Sequence, residues 1–268
     1  MSDYQTIDVT RDDQGVTTVT IQRPDKLNAL NEQVLTELDA ATDALADDED
    51  LRLVVFQGEG RAFIAGADIA AMLDMSPGEA DQFGALGHRT LASIEELPVP
   101  TIAAVDGFAL GGGLEVALAC DLIYASGRAA FGLPEVSLGI IPGFGGTQRL
   151  GRRVGWQRAR ELVFTGQQID AQKAESIGLC LEVFEPDEED FDADRFDERI
   201  AEVVDAIVSR GPLAIRAAKS AMRNGQESHL TEGLEAEQQA FADLFETDDR
   251  REGMEAFLDR RAPDFDAR

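Results

Sequence analysis

The stretch Thr101-Ile-Ala-Ala-Val-Asp-Gly-Phe-Ala-Leu-Gly-Gly-Gly-Leu-Glu115 contains a strand, a glycine-rich loop and the start of a helix in direct succession. Its apolar beginning predicts a buried strand that ends at Asp106-Gly107. A similar unit precedes it, with a strand at residues 52–57, a glycine loop and a helix from about residue 67. Strands that alternate with helices predict an α/β core.

The elements outside these two units are predicted by the same spacing rules. Apolar residues at helical spacing indicate a helix from Asn31 to about Ala46, with Asn31 as its N-cap. A second helix begins at Ser76-Pro77 and ends near Leu97. Further strands are expected at residues 5–10 and 16–22 (a hairpin), 121–125, 129–131 and 180–184. Residues 72–86 are expected to be helical, and their apolar side chains belong to the core or line a pocket; they include Met72, Leu73, Met75 and Phe83.

The acidic run Glu185–Asp194 is the best boundary in the chain. It separates a predicted α/β core, residues 1–194, from residues 195–268, where helical patterns dominate. The length of 268 residues is compatible with one or two domains.

The charge composition is extreme, with 52 acidic residues, 24 basic residues and a net charge of −28. The only lysines are Lys26, Lys173 and Lys219. Self-repulsion of this size destabilises a compact state in dilute buffer, whereas molar salt shortens the Debye length to about 3 Å. We therefore expect a surface adapted to a high-salt cytoplasm, with an ordinary acidic protein as the alternative. Such a surface repels nucleic acid and anionic membranes.

Two further features point to a cytoplasmic protein. Cys120 and Cys180 lie far apart without metal-ligand spacing, so reduced and buried thiols are expected. The first residues lack the pattern of a signal peptide, and charged residues interrupt every long apolar run.

The glycines Gly111, Gly112 and Gly113 are the first candidates for chemistry. The first N–H groups of a helix have no intrahelical partner, and glycine lets a ligand approach the backbone closely. An anion site and tight packing of a helix against a strand are equally compatible with the glycines alone. Both common phosphate-binding glycine motifs are absent. Ala65-Gly66-Ala67-Asp68 is a second glycine turn before a helix, and two such turns on one point would form an oxyanion hole.

Glu115 and Glu135 are the candidate acid–base groups. Glu115 lies in the apolar stretch Leu114-Glu-Val-Ala-Leu-Ala-Cys120, where burial should raise the pKa of its carboxyl group. Glu135 follows Gly132-Leu-Pro134, a context that is less distinctive by itself.

With these motifs in place, the chain resembles the enoyl-CoA hydratase/isomerase (crotonase) superfamily nearly from end to end, and within it the enoyl-CoA hydratases. The resemblance rests on the following segments: Ile21–Leu30, Ala62–Ile69, Pro100–Cys120, Phe131–Val136, Gly139–Leu150 and the tail Thr247–Met254. It implies a spiral of ββα repeats followed by a helical C-terminal trimerisation region, usually in a dimer of trimers. It also implies that no metal or redox cofactor is needed, because coenzyme A is part of the substrate.

The resemblance further implies a reaction, the addition of water across the 2,3 double bond of a trans-2-enoyl-CoA thioester in fatty-acid β-oxidation. The backbone N–H groups of Ala67 and Gly112 would hold the thioester oxygen, and Glu115 and Glu135 would be the catalytic carboxylates. Other substrate contacts are expected at Lys26, Leu27, Ala65, Asp68, Ile69, Leu133 and Gly143.

Two positions depart from the family pattern. Ala70 and Ala71 stand where many hydratases have a lysine that meets the CoA phosphates, so Lys26 or Arg260 is expected to replace it. Leu133 replaces a polar residue before Pro134-Glu135, which is expected to alter the acyl pocket.

Alternative functions on this fold remain open. A Δ3-Δ2 enoyl-CoA isomerase shares the fold and the oxyanion hole but needs only one proton shuttle. A non-catalytic RNA-binding relative is disfavoured by the charge of −28. A hydrolase would need a nucleophilic Ser or Cys beside a base, and the sequence offers no such context.

Overall fold

A computed structural model describes residues 4–184 and 193–268. Its strands form two sheets. The larger sheet has the order β1-β2-β3-β4-β6-β9, from strands β1 (Ile7–Arg11), β2 (Val16–Ile21), β3 (Leu53–Gly58), β4 (Thr101–Val105), β6 (Leu122–Ser126) and β9 (Glu182–Phe184). The smaller sheet contains β5 (Phe108–Leu110), β7 (Ala130–Gly132) and β8 (Gln168–Asp170).

The predicted N-terminal hairpin is confirmed. β1 and β2 are antiparallel, with Ile7 opposite Ile21. The Asp12 carboxylate accepts hydrogen bonds from the N–H groups of Gln14 and Val16, and Gly15 adopts a φ of +83°. A side chain that binds the backbone in this way replaces the ladder bonds that the turn lacks. The later strands of the larger sheet are all parallel.

The parallel strands belong to a repeated unit. β4 joins the larger sheet, β5 joins the smaller one, and helix α4 (Gly112–Ala119) follows. β6 and β7 repeat this path. In the two earlier units a single bridge replaces the second strand, Leu30 with Ala67 and Ile64 with Ala109. The bridges stack one unit upon the next, which confirms the expected spiral of ββα repeats.

The remaining core helices are α1 (Glu32–Ala46), α2 (Ile69–Met72), α3 (Pro77–Glu96), α5 (Gly146–Val154), α6 (Trp156–Thr165) and α7 (Ala171–Ser176). The Asn31 side chain caps α1 by accepting a 3.0 Å bond from the Val34 amide. Ser76 and Glu79 form a capping box at the start of α3. Both predicted helix starts are therefore confirmed.

Several details differ from the expectations. The helix expected over residues 72–86 is two helices, because the four-residue α2 ends before Ser76 starts α3. β5 and β8 were not predicted, because β5 follows β4 directly within the glycine loop and β8 is a short segment between two helices. The predicted boundary Glu185–Asp194 lies outside the described residues, apart from its last two positions.

The C-terminal region is helical, as expected, with α8 (Ala193–Val208), α9 (Pro212–Glu227), α10 (Leu230–Asp243) and α11 (Asp248–Asp259). α8 covers the larger sheet, where Phe196, Ile200 and Val204 are buried against the strands. On α9, the Lys219 ammonium donates to the Val99 carbonyl at 2.8 Å and pairs with Asp121 at 2.7 Å. Both helices are thus fastened to the α/β core. Across residues 4–184 and 193–268, no helix combines the length and apolar character required to cross a bilayer.

Helix α3 supports one aromatic residue that is central to the site described below. The Phe144 ring packs edge-on against Phe83, with the ring centroids 5.3 Å apart. It also lies directly over Gly87, where a β-carbon would approach the ring to 2.0 Å. Glycine at position 87 is therefore required by this packing, in contrast to Gly78 on the same helix, which has no atom within 4 Å.

We predict that Gly87→Ala destabilises the protein by about 1–3 kcal/mol, because Phe144 must move to admit the methyl group. Gly78→Ala is the matched control, expected to be neutral or stabilising by up to about 1 kcal/mol. Denaturant unfolding in high-salt buffer measures both. Equal stabilities for the two variants would contradict the packing described here.

Candidate active site

A cavity of about 640 Å³ lies where the glycine turns of successive units meet α3. Most of its walls are apolar, and among the described residues the only ionisable side chains that line it are Glu115 and Glu135. Part of the wall is formed by Met72, Ala80, Phe83, Gly84, Ile140 and Ile141. A concave apolar pocket with two convergent carboxyl groups is the usual form of an acid–base catalytic site.

Glu115 is held by the backbone. It lies in the first turn of α4, a helix whose residues are all buried, and only 1% of Glu115 is exposed. Its Oε1 accepts hydrogen bonds from the amides of Phe144 (2.8 Å) and Gly146 (2.7 Å). Burial raises the pKa of Glu115, while these two bonds and the charge of Arg149 oppose the rise. One carboxylate oxygen is therefore fixed, and Oε2 is left for a ligand.

Glu135 is less constrained. It lies in a 3-10 helix, Pro134–Leu138, on the other side of the cavity. Its Oε2 is buried, and no residue of the described chain offers it a hydrogen bond. Burial raises the pKa of Glu135 to about 7, and the charge of Glu115 adds to the rise. Glu135 is thus able to hold and release a proton near neutral pH.

The two glycine turns meet beside Glu135. A β-carbon on Gly111, whose φ is +49°, would lie 3.0 Å from Glu135 Oε1 and 3.6 Å from Gly66 Cα. The turns are joined because the amide of Leu110 donates to the Ile64 carbonyl at 3.0 Å. The next amide after each turn, of Ala67 and of Gly112, has no acceptor within the described part of the chain. Two unpaired N–H groups therefore lie on the cavity wall near the carboxyl groups.

Seven of the eleven predicted site residues line the cavity: Glu115, Glu135, Ala67, Gly112, Ala65, Ile69 and Gly143. Three others border it, namely Leu27, Asp68 and Lys26. The Leu27 carbonyl accepts a 3.0 Å bond from the Ala65 amide, and the Asp68 carboxylate pairs with Arg23 at 3.0 Å. Lys26 is exposed, and its charge acts on Asp68. These three residues lie at the edge of the cavity rather than in it.

Leu133 is the exception among the predicted contacts. It is fully buried in the hydrophobic core and does not line the cavity. The expectation that it shapes a ligand pocket is therefore wrong at the level of direct contact. Its neighbour Pro134 takes that place in the wall.

The segment Gly143–Gly146 has a larger role than its sequence indicated. Gly145 is in the left-handed region, with a φ of +105°, and allows a tight turn there. The same turn directs the amides of Phe144 and Gly146 at Glu115. The sequence signal for this role was a glycine pair before a helix start, but only the fold brings the turn close to Glu115 on α4. The expected helix 72–86 contributes Met72 and Phe83 to the cavity, whereas Leu73 is exposed.

Comparison with known proteins agrees with this geometry. The model of the enoyl-CoA hydratase/isomerase family matches residues 11–268. A short-chain-enoyl-CoA hydratase of Clostridium acetobutylicum is 43% identical over 92% of both chains, and a crotonyl-CoA hydratase of Syntrophomonas wolfei is 44% identical over 91% of this chain and 92% of that one. The crystal structure of an enoyl-CoA hydratase from Bacillus anthracis matches with a TM-score of 0.93 at 37% identity, covering 98% of this chain and 100% of the other. The chain therefore belongs to the enoyl-CoA hydratase/isomerase family.

We predict that Glu135→Gln, compared with the wild type, stabilises the protein more at pH 8 than at pH 5. The pKa of Glu135 is about 7 in the folded protein and ordinarily 4.5, so the folded state binds the proton more tightly and loses stability as the pH rises between these values. Glutamine removes this loss, which we expect to be about 1–2 kcal/mol after allowance for solvent. Urea unfolding at both pH values measures it. An equal stability difference between the variant and the wild type at the two pH values would refute the prediction.

Proposed function

We propose that the protein is an enoyl-CoA hydratase, which adds water across the 2,3 double bond of a trans-2-enoyl-CoA and forms 3-hydroxyacyl-CoA in fatty-acid β-oxidation. The observation that carries the proposal is the meeting of Glu115, Glu135 and the unpaired amides of Ala67 and Gly112 on one cavity. The relatives named short-chain-enoyl-CoA hydratase and crotonyl-CoA hydratase support the same reaction.

In this proposal the amides of Ala67 and Gly112 form the oxyanion hole. The thioester carbonyl oxygen accepts both hydrogen bonds, which withdraws electrons from the conjugated double bond and makes C3 electrophilic. As the hydroxyl oxygen bonds to C3, negative charge moves onto the thioester oxygen. Preorganised donors stabilise that charge more strongly than the starting carbonyl, so they lower the barrier.

The two glutamates then divide the proton transfers. Glu115 accepts a proton from the attacking water, because its Oε1 is fixed by two amides and its Oε2 is free to face that water. Glu135 donates a proton to C2 as the enolate collapses, because it is partly protonated at neutral pH. Together the groups add one hydroxyl and one proton, which balances the reaction. Both carboxyl groups act on one water, so their titrations are coupled.

In this proposal the CoA portion of the substrate lies at the cavity edge formed by Lys26, Leu27 and Asp68. Lys26 is exposed there and Arg23 is engaged with Asp68, so Lys26 is the better candidate for the phosphates. The other candidate cation, Arg260, ends α11 in the C-terminal region. Coenzyme A enters as part of the substrate, and we propose that no separate cofactor takes part.

The isomerase alternative requires one carboxyl group to move a proton between C2 and C4. The second carboxyl group on the same cavity favours hydration, because hydration needs both an acceptor and a donor. The acidic composition leads us to place the reaction in a high-salt cytoplasm.

We predict that the protein consumes crotonyl-CoA in molar salt, followed as loss of absorbance of the conjugated enoyl thioester. Glu115→Gln and Glu135→Gln should each lower kcat by about 10²–10⁴. Glu59→Gln is the control and should retain full activity. Wild-type rates in both active-site variants would disprove the mechanism, and Δ3-Δ2 isomerisation that survives in one variant alone would favour the isomerase.

The oxyanion hole is tested at Gly112, the first residue of α4. Proline suits the first position of a helix and lacks the N–H, whereas alanine keeps the N–H. Either residue adds a β-carbon that would lie 3.0 Å from a Leu30 methyl carbon and 3.2 Å from the Phe144 ring. We predict that Gly112→Pro has a kcat/KM about 10²–10³ lower than Gly112→Ala. Similar rates in these two variants would show that this amide does not bind the oxyanion.

We also propose that the chain forms a homo-oligomer, a dimer of trimers, through its C-terminal helices. These helices leave more than half of several large apolar side chains exposed, namely Leu230, Leu234, Phe241, Phe257 and Leu258. Apolar patches of this kind on a strongly acidic protein are typical of subunit interfaces. Light scattering in molar salt should give a six-subunit mass for the wild type and a smaller mass for Phe257→Asp. A monomeric wild type would contradict this assembly.

A further inference from the structure

We propose that Arg149 is a positioning residue for the catalytic base: it holds the Phe144–Gly146 turn against Glu115, so that two amides of the turn orient the carboxylate. The inference rests on the proposed hydratase function. Arg149 does not line the cavity, so its effect must pass through the residues that it contacts.

The Arg149 side chain has three fixed acceptors. It lies on α5 and is only 16% exposed. Its Nη1 donates to the Phe144 carbonyl at 2.7 Å, while Nε and Nη2 bind the two oxygens of Glu95 on α3 at 2.9 and 2.6 Å. A planar guanidinium satisfies all three at once, which a lysine ammonium cannot do in the same geometry.

The bonded path from Arg149 to Glu115 is short. Arg149 binds the carbonyl of Phe144, and the amide of the same residue binds Glu115 Oε1 at 2.8 Å. The amide of Gly146 adds the second bond at 2.7 Å. A shift of the turn would therefore displace both donors that orient the base. Because α3 anchors Glu95, the arginine fastens the turn to a long helix.

Gly145 gives an independent sign that the turn is built around this guanidinium. A β-carbon at Gly145 would lie 2.2 Å from Arg149 Nη1. Its φ of +105° is also a conformation that favours glycine. The side chain of Arg149 thus passes over the backbone of the turn, in a space that any other residue at position 145 would occupy.

The charged groups around Glu115 also support a role for Arg149. Arg149 faces it from α5, Glu135 faces it across the cavity, and Glu95 on α3 partly offsets the arginine. Burial raises the pKa of Glu115, and Arg149 is the positive charge that lowers it. Removal of that charge must shift the ionisation of Glu115 to higher pH.

The test compares Arg149→Met, Arg149→Lys and the control Arg152→Gln. Arg152 is an exposed arginine of the same helix, whose Nη1 donates to the Gln148 carbonyl and to no other acceptor in the described part of the chain. For each variant, kcat, KM and the pH profile of crotonyl-CoA hydration are measured in molar salt, below its own unfolding temperature. Both Arg149 variants should lose about 10²-fold in kcat with little change in KM, as expected for a misplaced base.

The pH profile separates positioning from simple stabilisation. In Arg149→Met the acidic limb of kcat/KM should move to higher pH, whereas Arg149→Lys keeps the charge and should hold the limb nearer its wild-type position. A folded Arg149→Met with wild-type kcat and pH profile, even at a lower Tm, would overturn the inference while the proposed function stands. A wild type that does not hydrate crotonyl-CoA would instead overturn the proposed function.

Discussion

The burial of one carboxylate, Glu115, is the constraint on which the site depends. A charged group inside an apolar helix is costly unless donors reach it, and α4 cannot supply them from its own backbone. The amides of Phe144 and Gly146 do so from a different unit of the spiral. These two hydrogen bonds to one carboxylate oxygen therefore fix the position of α5 relative to α4. Packing, the shape of the cavity and the proposed chemistry all follow from that arrangement.

Much of the fold could be predicted because its signals are local. The strand Thr101–Val105, the cap at Asn31 and the capping box at Ser76 each depend on a few neighbouring residues. β5 and β8 escaped prediction because they are defined as strands by their pairing with β7 rather than by a pattern of their own. Tertiary pairing of this kind leaves no periodic trace in the chain.

The candidate site was likewise predictable in part from local sequence and in part only from the fold. Glu115 was identifiable from its apolar neighbours, whereas Glu135 was identified through the family resemblance, and only the fold shows that it lies beside Gly111. The contact between the Gly66 and Gly111 turns is a long-range fact, as is the meeting of Phe144 with Glu115. Leu133 illustrates the opposite error, since adjacency to Glu135 in sequence does not place its side chain in the cavity. Alternate residues of a turn face different surroundings.

Phe144 combines several duties that a protein usually distributes among separate residues. Its amide holds Glu115, its carbonyl holds Arg149, and its ring forms part of the cavity wall against α3. Changes in acyl-chain preference, whether by natural divergence or by design, are therefore constrained at this position. A smaller side chain at position 144 would enlarge the pocket and would also weaken the hold on the Glu115 carboxylate. A new substrate range is reached more freely through Ala80, Gly84 and Ile141, which line the cavity, whereas the bonds that hold Glu115 come from Phe144 and Gly146.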